Sequence, residues 1–236
     1  MRAFILVGGL GTRLRGMGIT QPKAMVEIGG RPFLEFLLLF LARHGLREII
    51  FCVGYGADEI RSWFGDGSRW GVSILYSLEE SPLGTGGALK QAEPFAVEEN
   101  LVCNGDSFLE LDLSALVSFH RRKKALASIA AITVHSIGDY GNIQTGRGGR
   151  ITAFTEKSAG GRGLVNGGIY LLQKQVWRMI PGGGALSLEK ETFPRLAEDG
   201  RCYAYRAAGY FLDIGTPERL DRARAELPSV MQRILS

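Results

Sequence analysis

The segment Ala3-Phe4-Ile5-Leu6-Val7-Gly8-Gly9-Leu10-Gly11-Thr12-Arg13-Leu14, followed by Pro22-Lys23, decides how the chain is read. Five apolar residues make a short buried strand that runs straight into a glycine loop. Arg13 closes the loop and Lys23 lies ten residues further on. Glycines without Cβ let backbone N–H groups approach a polyphosphate, and a guanidinium fork and an ammonium neutralise charge that the amides do not reach. A tight strand-to-helix turn also needs glycine for steric reasons, so the loop alone separates neither case. Its spacing departs from the dinucleotide pattern G-x-G-x-x-G, because Leu14 stands where the third glycine belongs, and no Gly-Lys-Ser/Thr follows as in a Walker A loop.

Outward from this loop, strand and helix patterns alternate. Arg31-Pro32 predicts the start of an apolar helix with proline in its first turn, closed by Arg43-His44-Gly45. Strands are expected over Glu48–Val53, Val72–Tyr76 and Asn100–Cys103, with helices over Ala57–Phe64 and Gly86–Glu93 between them. That order is βαβ, hence an α/β protein with a mainly parallel sheet. The second half is richer in strands: Ala127–Val134, a short pair around Ile143 and Ile151, Gly168–Leu172, and two more near Tyr203 and Phe211, with a helix near Leu188–Ala197. A mixed sheet is expected there. Thr216 and Pro217 predict the cap and first residue of a closing helix.

Composition excludes several classes. The 236 residues, 45% hydrophobic, suffice for one domain with a large core, and the 33 glycines are scattered rather than gathered in a low-complexity tract. The longest apolar stretch, Phe33 to Ala42, is too short to span a bilayer, and no signal-peptide pattern opens the chain, so a soluble cytoplasmic protein without membrane partners is expected. Cys52, Cys103 and Cys202 are widely spaced core thiols by this reading, not a disulfide framework or zinc site. His44, His120 and His135 have no triad or metal spacing and are expected at helix ends or in the core. A net charge of +4 suits small anionic substrates. The cluster Arg121 to Lys124 lacks interleaved aromatics and reads as a solvated helix end, not a nucleic-acid surface.

Open α/β sheets bind ligands at the carboxyl ends of their strands. Asp106, after Leu101-Val102-Cys103-Asn104-Gly105, and Asp213, after Tyr210-Phe211-Leu212, are each delivered there by a short apolar strand. Two such carboxylates can hold Mg²⁺, which favours one or two carboxylates with water and phosphate. Asn104-Gly105-Asp106 is also an ordinary turn sequence.

Taken together and in order, these residues resemble the sugar-1-phosphate nucleotidyltransferases. The motifs are the opening loop, Pro22-Lys23, Gly30-Arg31-Pro32, Pro82-Leu83-Gly84-Thr85-Gly86-Gly87, Asn104-Gly105-Asp106-Ser107, Tyr140-Gly141, Glu156-Lys157, Asn166-Gly167-Gly168-Ile169-Tyr170 and Gly209-Tyr210-Phe211-Leu212-Asp213-Ile214-Gly215-Thr216-Pro217. Within the family, the Asn-Gly-Asp-Ser and Gly-Tyr-Phe-Leu-Asp-Ile-Gly-Thr-Pro forms are similar to those of D-glycero-α-D-manno-heptose 1-phosphate guanylyltransferases. Ala24 replaces the usual proline after the loop-end lysine, and Val7 precedes the first two glycines in place of alanine.

The resemblance implies a Rossmann-like three-layer nucleotidyltransferase fold in one domain over 1–236, with a nucleotide-binding half over about 1–110 and a sugar-phosphate half over about 111–225. It implies Mg²⁺-dependent transfer of a nucleoside monophosphate from an NTP to a sugar 1-phosphate, first of all D-glycero-α-D-manno-heptose 1-phosphate to give GDP-heptose. Mannose 1-phosphate guanylyl transfer, N-acetylmuramate 1-phosphate uridylyl transfer and a non-catalytic nucleotide-sugar sensor on the same fold are the alternatives, and a monomer or homodimer is expected. Arg13 and Lys23 are assigned to the triphosphate, Asp106 and Asp213 to Mg²⁺, and Gly8, Gly9, Gly11, Thr12, Glu79, Gly84 and Thr85 to the nucleotide. Gly141, Glu156, Lys157 and Asn166 are assigned to the sugar phosphate. Glu79 falls where the base edge is read; a carboxylate accepts from both N1–H and N2–H₂ of guanine, whereas uracil offers only N3–H, which ranks GTP above UTP.

Overall fold

In the computed structural model, which describes residues 1–9, 21–135, 137, 140–155 and 161–236, the opening apolar run forms β1 (Arg2–Leu6). Ala3 and Ile5 point into one core layer and Phe4 into the other, so the strand is buried on both faces and reads as a continuous apolar run. The later strands are β2 (Glu27–Ile28), β3 (Arg31–Pro32), β4 (Glu48–Val53), β5 (Ser73–Leu78), β6 (Glu99–Asn104), β7 (Ser107–Leu109), β8 (Ala127–Val134), β9 (Asn142–Thr145), β10 (Ile151–Thr155), β11 (Gly163–Gln173), β12 (Cys202–Ala207) and β13 (Phe211–Asp213). The α-helices among the described residues are α1 (Phe33–Arg43), α2 (Ala57–Phe64), α3 (Gly84–Gln91), α4 (Leu113–Lys123), α5 (Gln175–Met179), α6 (Phe193–Glu198) and α7 (Pro217–Leu235).

One nine-stranded sheet contains strands from both halves of the chain. β5, β4, β1 and β6 lie side by side and parallel. β11 joins β6 antiparallel, β8 joins β11 antiparallel, and β12 runs parallel to β8. β9 meets β11 at Val165 and carries β10 outside it. This is the mixed, mainly parallel α/β sheet that the sequence predicts. Helices cover both faces: α1 and α7 pack on one through Phe33, Leu37, Leu220 and Leu227, and α3, α5 and α6 on the other through Leu89, Trp177 and Phe193.

The chain leaves β1 toward β4 and β5 on one side and returns to β6 on the other. The crevice outside the carboxyl end of β1 is therefore a topological switch point. Pairing of Leu6 with both Cys52 and Asn104 sets Gly8 and Gly9 beside the turn that follows β6.

The structure moves some boundaries. Arg31 and Pro32 are not the first helical turn; they pair with Glu27 and Ile28 across Gly29 and Gly30, both at positive φ, in a hairpin. Pro32 has extended ψ and caps α1, which starts at Phe33. The expected helix over Leu188–Ala197 is a π-type turn at Leu188–Thr192 leading into α6. Thr216 caps α7 as expected, its hydroxyl accepting the N–H of Arg219 at 3.4 Å.

The three thiols are buried and unpaired, as expected. His120 is buried in the core and His44 caps α1. Arg121 pairs with Glu99, and Lys123 lies over the rings of Phe119 and Tyr203, so the basic cluster is engaged at the end of α4. No helix among the described residues is long and apolar enough to cross a membrane.

Candidate active site

Three adjoining cavities follow the switch-point crevice. The first, about 320 Å³, is lined by Gly8, Gly9, Glu79, Gly84, Thr85 and Asp106 among others. The second, about 250 Å³, shares Asn104 and Asp106 with it and adds Lys23, Gly141, Asn166 and Asp213. The third, about 560 Å³, shares Gly141, Asn166 and Glu189 with the second. Every sequence-predicted site residue that is described thus lines this chain of cavities. Gly11, Thr12, Arg13, Glu156 and Lys157 lie outside the described residues.

The first cavity owes its shape to close backbone approach. A Cβ at Gly8 would overlap the Glu79 carboxylate, and one at Gly84, which has φ +68°, would lie 2.5 Å from the carbonyl oxygen of Leu186. Glu79 follows β5; its own N–H donates to Val53 O at 2.7 Å, and its Oε2 accepts the N–H of Leu83 at 3.0 Å. Burial raises its carboxyl above the ordinary carboxylate value, against the lowering effect of the Leu83 N–H. Among the described residues no other donor is in hydrogen-bond contact with this carboxylate, which lines the cavity.

The two aspartates meet through a long-range pairing absent from the local sequence pattern. β7 follows directly on Asp106 and pairs antiparallel with β13, setting Ser107 opposite Asp213, and Ile214 N–H donates to Asp106 O at 3.0 Å. Lys23 Nζ donates to Asp106 Oδ2 at 2.6 Å, and Ser107 Oγ donates to Oδ1 at 3.0 Å. Burial pushes the Asp106 carboxyl up, but the Lys23 ammonium and these hydrogen bonds outweigh it and hold the carboxyl below its ordinary value. A Cβ at Gly215 would lie 2.6 Å from Asp213 Oδ1 and 3.7 Å from Lys23 Nζ, so Asp213 and the ammonium that pairs with Asp106 both flank Gly215.

A model of the family described as nucleotidyl transferase matches residues 2–229. The chain belongs to that family. Among its relatives, a D-glycero-alpha-D-manno-heptose 1-phosphate guanylyltransferase of Aneurinibacillus thermoaerophilus is 36% identical over 228 residues, covering 96% of this chain and 98% of the relative. A mannose-1-phosphate guanylyltransferase of Mycobacterium tuberculosis is 38% identical over 229 residues, covering 95% of this chain; the chain spans only 64% of that longer relative. The crystal structure of HddC from Yersinia pseudotuberculosis superposes with a TM-score of 0.86 at 31% identity, over 96% of this chain and 99% of that one. The same protein has also been crystallised with GMP-PN. The resemblance read from the motifs, to the family and to its heptose branch, is borne out.

Whether this nucleotidyltransferase fits a divalent cation can be judged from its donors. Among the described residues no three His, Cys, Asp or Glu side chains cluster as an all-protein cage. The second cavity instead holds two carboxylates, Asp106 paired with Lys23 and Asp213 with Arg219, and among the described residues Asn104 Oδ1 is a buried acceptor without a partner at its wall. That donor set fits Mg²⁺ held together with a substrate phosphate.

Sequence reasoning missed two charged groups in this cavity. Arg219 Nη1 donates to Asp213 Oδ1 and Oδ2 at 3.0 and 3.1 Å, and its guanidinium lies 4.2 Å from the Tyr140 ring centroid. Tyr140 OH donates to Asp213 Oδ2; burial first, and then this bond, raise the phenol above its ordinary value and keep it a donor. The signal for Arg219 was its place three residues after the Thr216 cap, in the turn that folds back over Asp213. The other is Glu189, whose position depends on contacts with Thr85 and Tyr170, 104 and 19 residues away in sequence.

Proposed function

We propose that the chain transfers GMP from GTP to a sugar 1-phosphate, by preference D-glycero-α-D-manno-heptose 1-phosphate, giving GDP-heptose and pyrophosphate. The observation that carries this reading is that Lys23, Asp106 and Asp213 line one cavity, which shares Asn104 and Asp106 with the cavity that has Glu79 in its wall. An anionic oxygen of the sugar phosphate attacks the α-phosphorus in line. The new P–O bond forms as the bond to the bridging oxygen of the β-phosphate breaks, and pyrophosphate leaves with that electron pair. The nucleophile is already ionised, so no strong general base is required, and catalysis consists of aligning two anions and neutralising their charge.

Lys23 exchanges its carboxylate partner for phosphate oxygens near the α-phosphorus as substrate enters. Arg13 is assigned to the β- and γ-phosphates together with Gly8, Gly9, Gly11 and Thr12, and Lys157 to the sugar phosphate. Asp106 and Asp213 would hold Mg²⁺, which supplies charge neutralisation at the phosphates when bound. Glu79 accepts from the guanine N–H edge, beside the turn at Gly84 and Thr85. Asn166, Glu189 and the backbone of Gly141 line the sugar pocket, and Glu156 is assigned to the sugar. The match over nearly the full length of a heptose guanylyltransferase favours the heptose as acceptor, and such substrates set the reaction in the cytoplasm.

The test is pyrophosphate release by the purified protein with Mg²⁺, crossing GTP, UTP, CTP and ATP against heptose, mannose, glucose and N-acetylmuramate 1-phosphates. Release with GTP and the heptose is expected. Release with another pair moves the substrate and keeps the chemistry, and no release with any pair refutes it.

A further inference from the structure

Thr85 stands at the start of α3, on the wall of the nucleotide cavity. Its hydroxyl is nevertheless committed elsewhere. Oγ1 donates to Glu189 Oε2 at 2.7 Å and accepts the N–H of Leu188 at 2.9 Å. Ser187 Oγ donates to the same Glu189 oxygen at 2.9 Å, and Tyr170 OH donates to Oε1 at 3.0 Å. Tyr170 OH in turn accepts from Asn166 Nδ2 at 2.9 Å and Asn104 Nδ2 at 3.2 Å. No cation among the described residues pairs with Glu189; three neutral hydroxyls hold it, and it lines both the second and third cavities.

The backbone around Thr85 is knitted to the same segment. Gly86 N–H donates to Leu186 O and Leu186 N–H to Leu83 O, both at 2.8 Å. At Gly87 a Cβ would come within 2.8 Å of Gly184 O. The glycines of this turn therefore dock the chain before Glu189 onto the first turn of α3, and the threonine hydroxyl aims the carboxylate.

We propose that Thr85 is a positioning residue for the sugar side of the site, acting through Glu189, and not a ligand of the nucleotide. Without the hydroxyl, Glu189 loses one of its three donors and Leu188 N–H loses its acceptor. The carboxylate then swings within a cavity large enough to let it, and its hydrogen bonds to sugar hydroxyls weaken. The inference rests on the assignment of the second and third cavities to the sugar phosphate.

The experiment is steady-state kinetics of Thr85→Val, which keeps the shape and removes the hydroxyl, with Thr85→Ser and Ser187→Ala beside it. A misplaced Glu189 forfeits a hydrogen bond between its carboxylate and the sugar, which corresponds to about tenfold in affinity. In Thr85→Val the KM for heptose 1-phosphate is expected to rise about tenfold with the KM for GTP within twofold of wild type. Thr85→Ser should restore the sugar KM, and Ser187→Ala should raise it without moving that for GTP. A GTP KM that rises as much as the sugar KM, no change in either, or failure of serine to rescue would overturn the proposal. Wild-type protein that accepts no sugar 1-phosphate at all would refute the transferase reading itself, and this inference with it.

Discussion

Replacing Glu79 by glutamine tests base recognition most sharply, because the structure fixes what the amide must do. Oε2 of Glu79 accepts the Leu83 N–H at 3.0 Å, so the glutamine oxygen stays there and the NH₂ turns toward Gly8 and the cavity. Donors then face the N1–H and N2–H₂ donors of guanine. A hydrogen bond to a charged acceptor contributes about 1.5–3 kcal/mol; two are lost, and relief of a buried charge offsets part of that, leaving about 2 kcal/mol or about thirtyfold in Kd. Calorimetric titration of Glu79→Gln should show that loss for GTP and less than threefold for UTP. The pH dependence carries a second sign. Burial raises the Glu79 carboxyl, so its contribution to folding is present below the ordinary value of 4.5 and is lost as pH rises through the raised value. GTP affinity needs the ionised form and grows over that same rise. Wild-type protein should therefore gain GTP affinity while losing this part of its stability, and the glutamine variant should show neither trend. Equal losses for GTP and UTP, or unchanged GTP binding, would refute the assignment of Glu79 to the base.

Other outcomes follow from single residues. Asp106→Asn should keep the fold, since its backbone bond from Ile214 remains, and lose at least about a hundredfold of Mg²⁺-dependent turnover; near-normal activity would remove Asp106 from the site. His120 donates from Nε2 to Gln173 at 3.0 Å and accepts from Ser128 at Nδ1 at 2.9 Å, and burial pushes it down from 6.5 to about 4. The unfolded chain takes up this proton first, so about 3 kcal/mol of stability present above pH 6.5 is lost as pH falls to about 4. Urea unfolding of wild type and His120→Gln at both pH values should differ in acid sensitivity by that amount, and identical profiles would contradict it. Gly84→Ala combines positive φ with a Cβ 2.5 Å from Leu186 O and should destabilise by about 2 kcal/mol or more in thermal unfolding; an unchanged melting temperature would show that the turn yields freely.

Much of the fold was legible because its signals are local. The β1 run, the glycine loop and the βαβ order need only hydrophobic period and turn chemistry, and the parallel half follows from them. α4 was read only through its basic end, although Asp112 caps it, accepting the Ala115 N–H at 3.0 Å, ahead of Leu113 and Leu116 at helical spacing. The pairing of β7 with β13 was not legible, because it joins three-residue segments about a hundred positions apart. It is that pairing which brings Asp106 to Asp213. The tripeptide Asn104-Gly105-Asp106 is an ordinary turn sequence whose Asn104 and Asp106 line the first two cavities, and no local pattern separates the two. Glu189 and Arg219 were missed for a related reason: each is an ordinary surface residue in sequence and becomes a site residue only through contacts with distant elements.

The central claim is nucleotidyl transfer at the α-phosphorus. The most direct measurement is mass spectrometry of the products formed from GTP and D-glycero-α-D-manno-heptose 1-phosphate with Mg²⁺. GDP-heptose and pyrophosphate in equal amounts are predicted; GDP with inorganic phosphate, or unchanged substrates from folded protein, would contradict it.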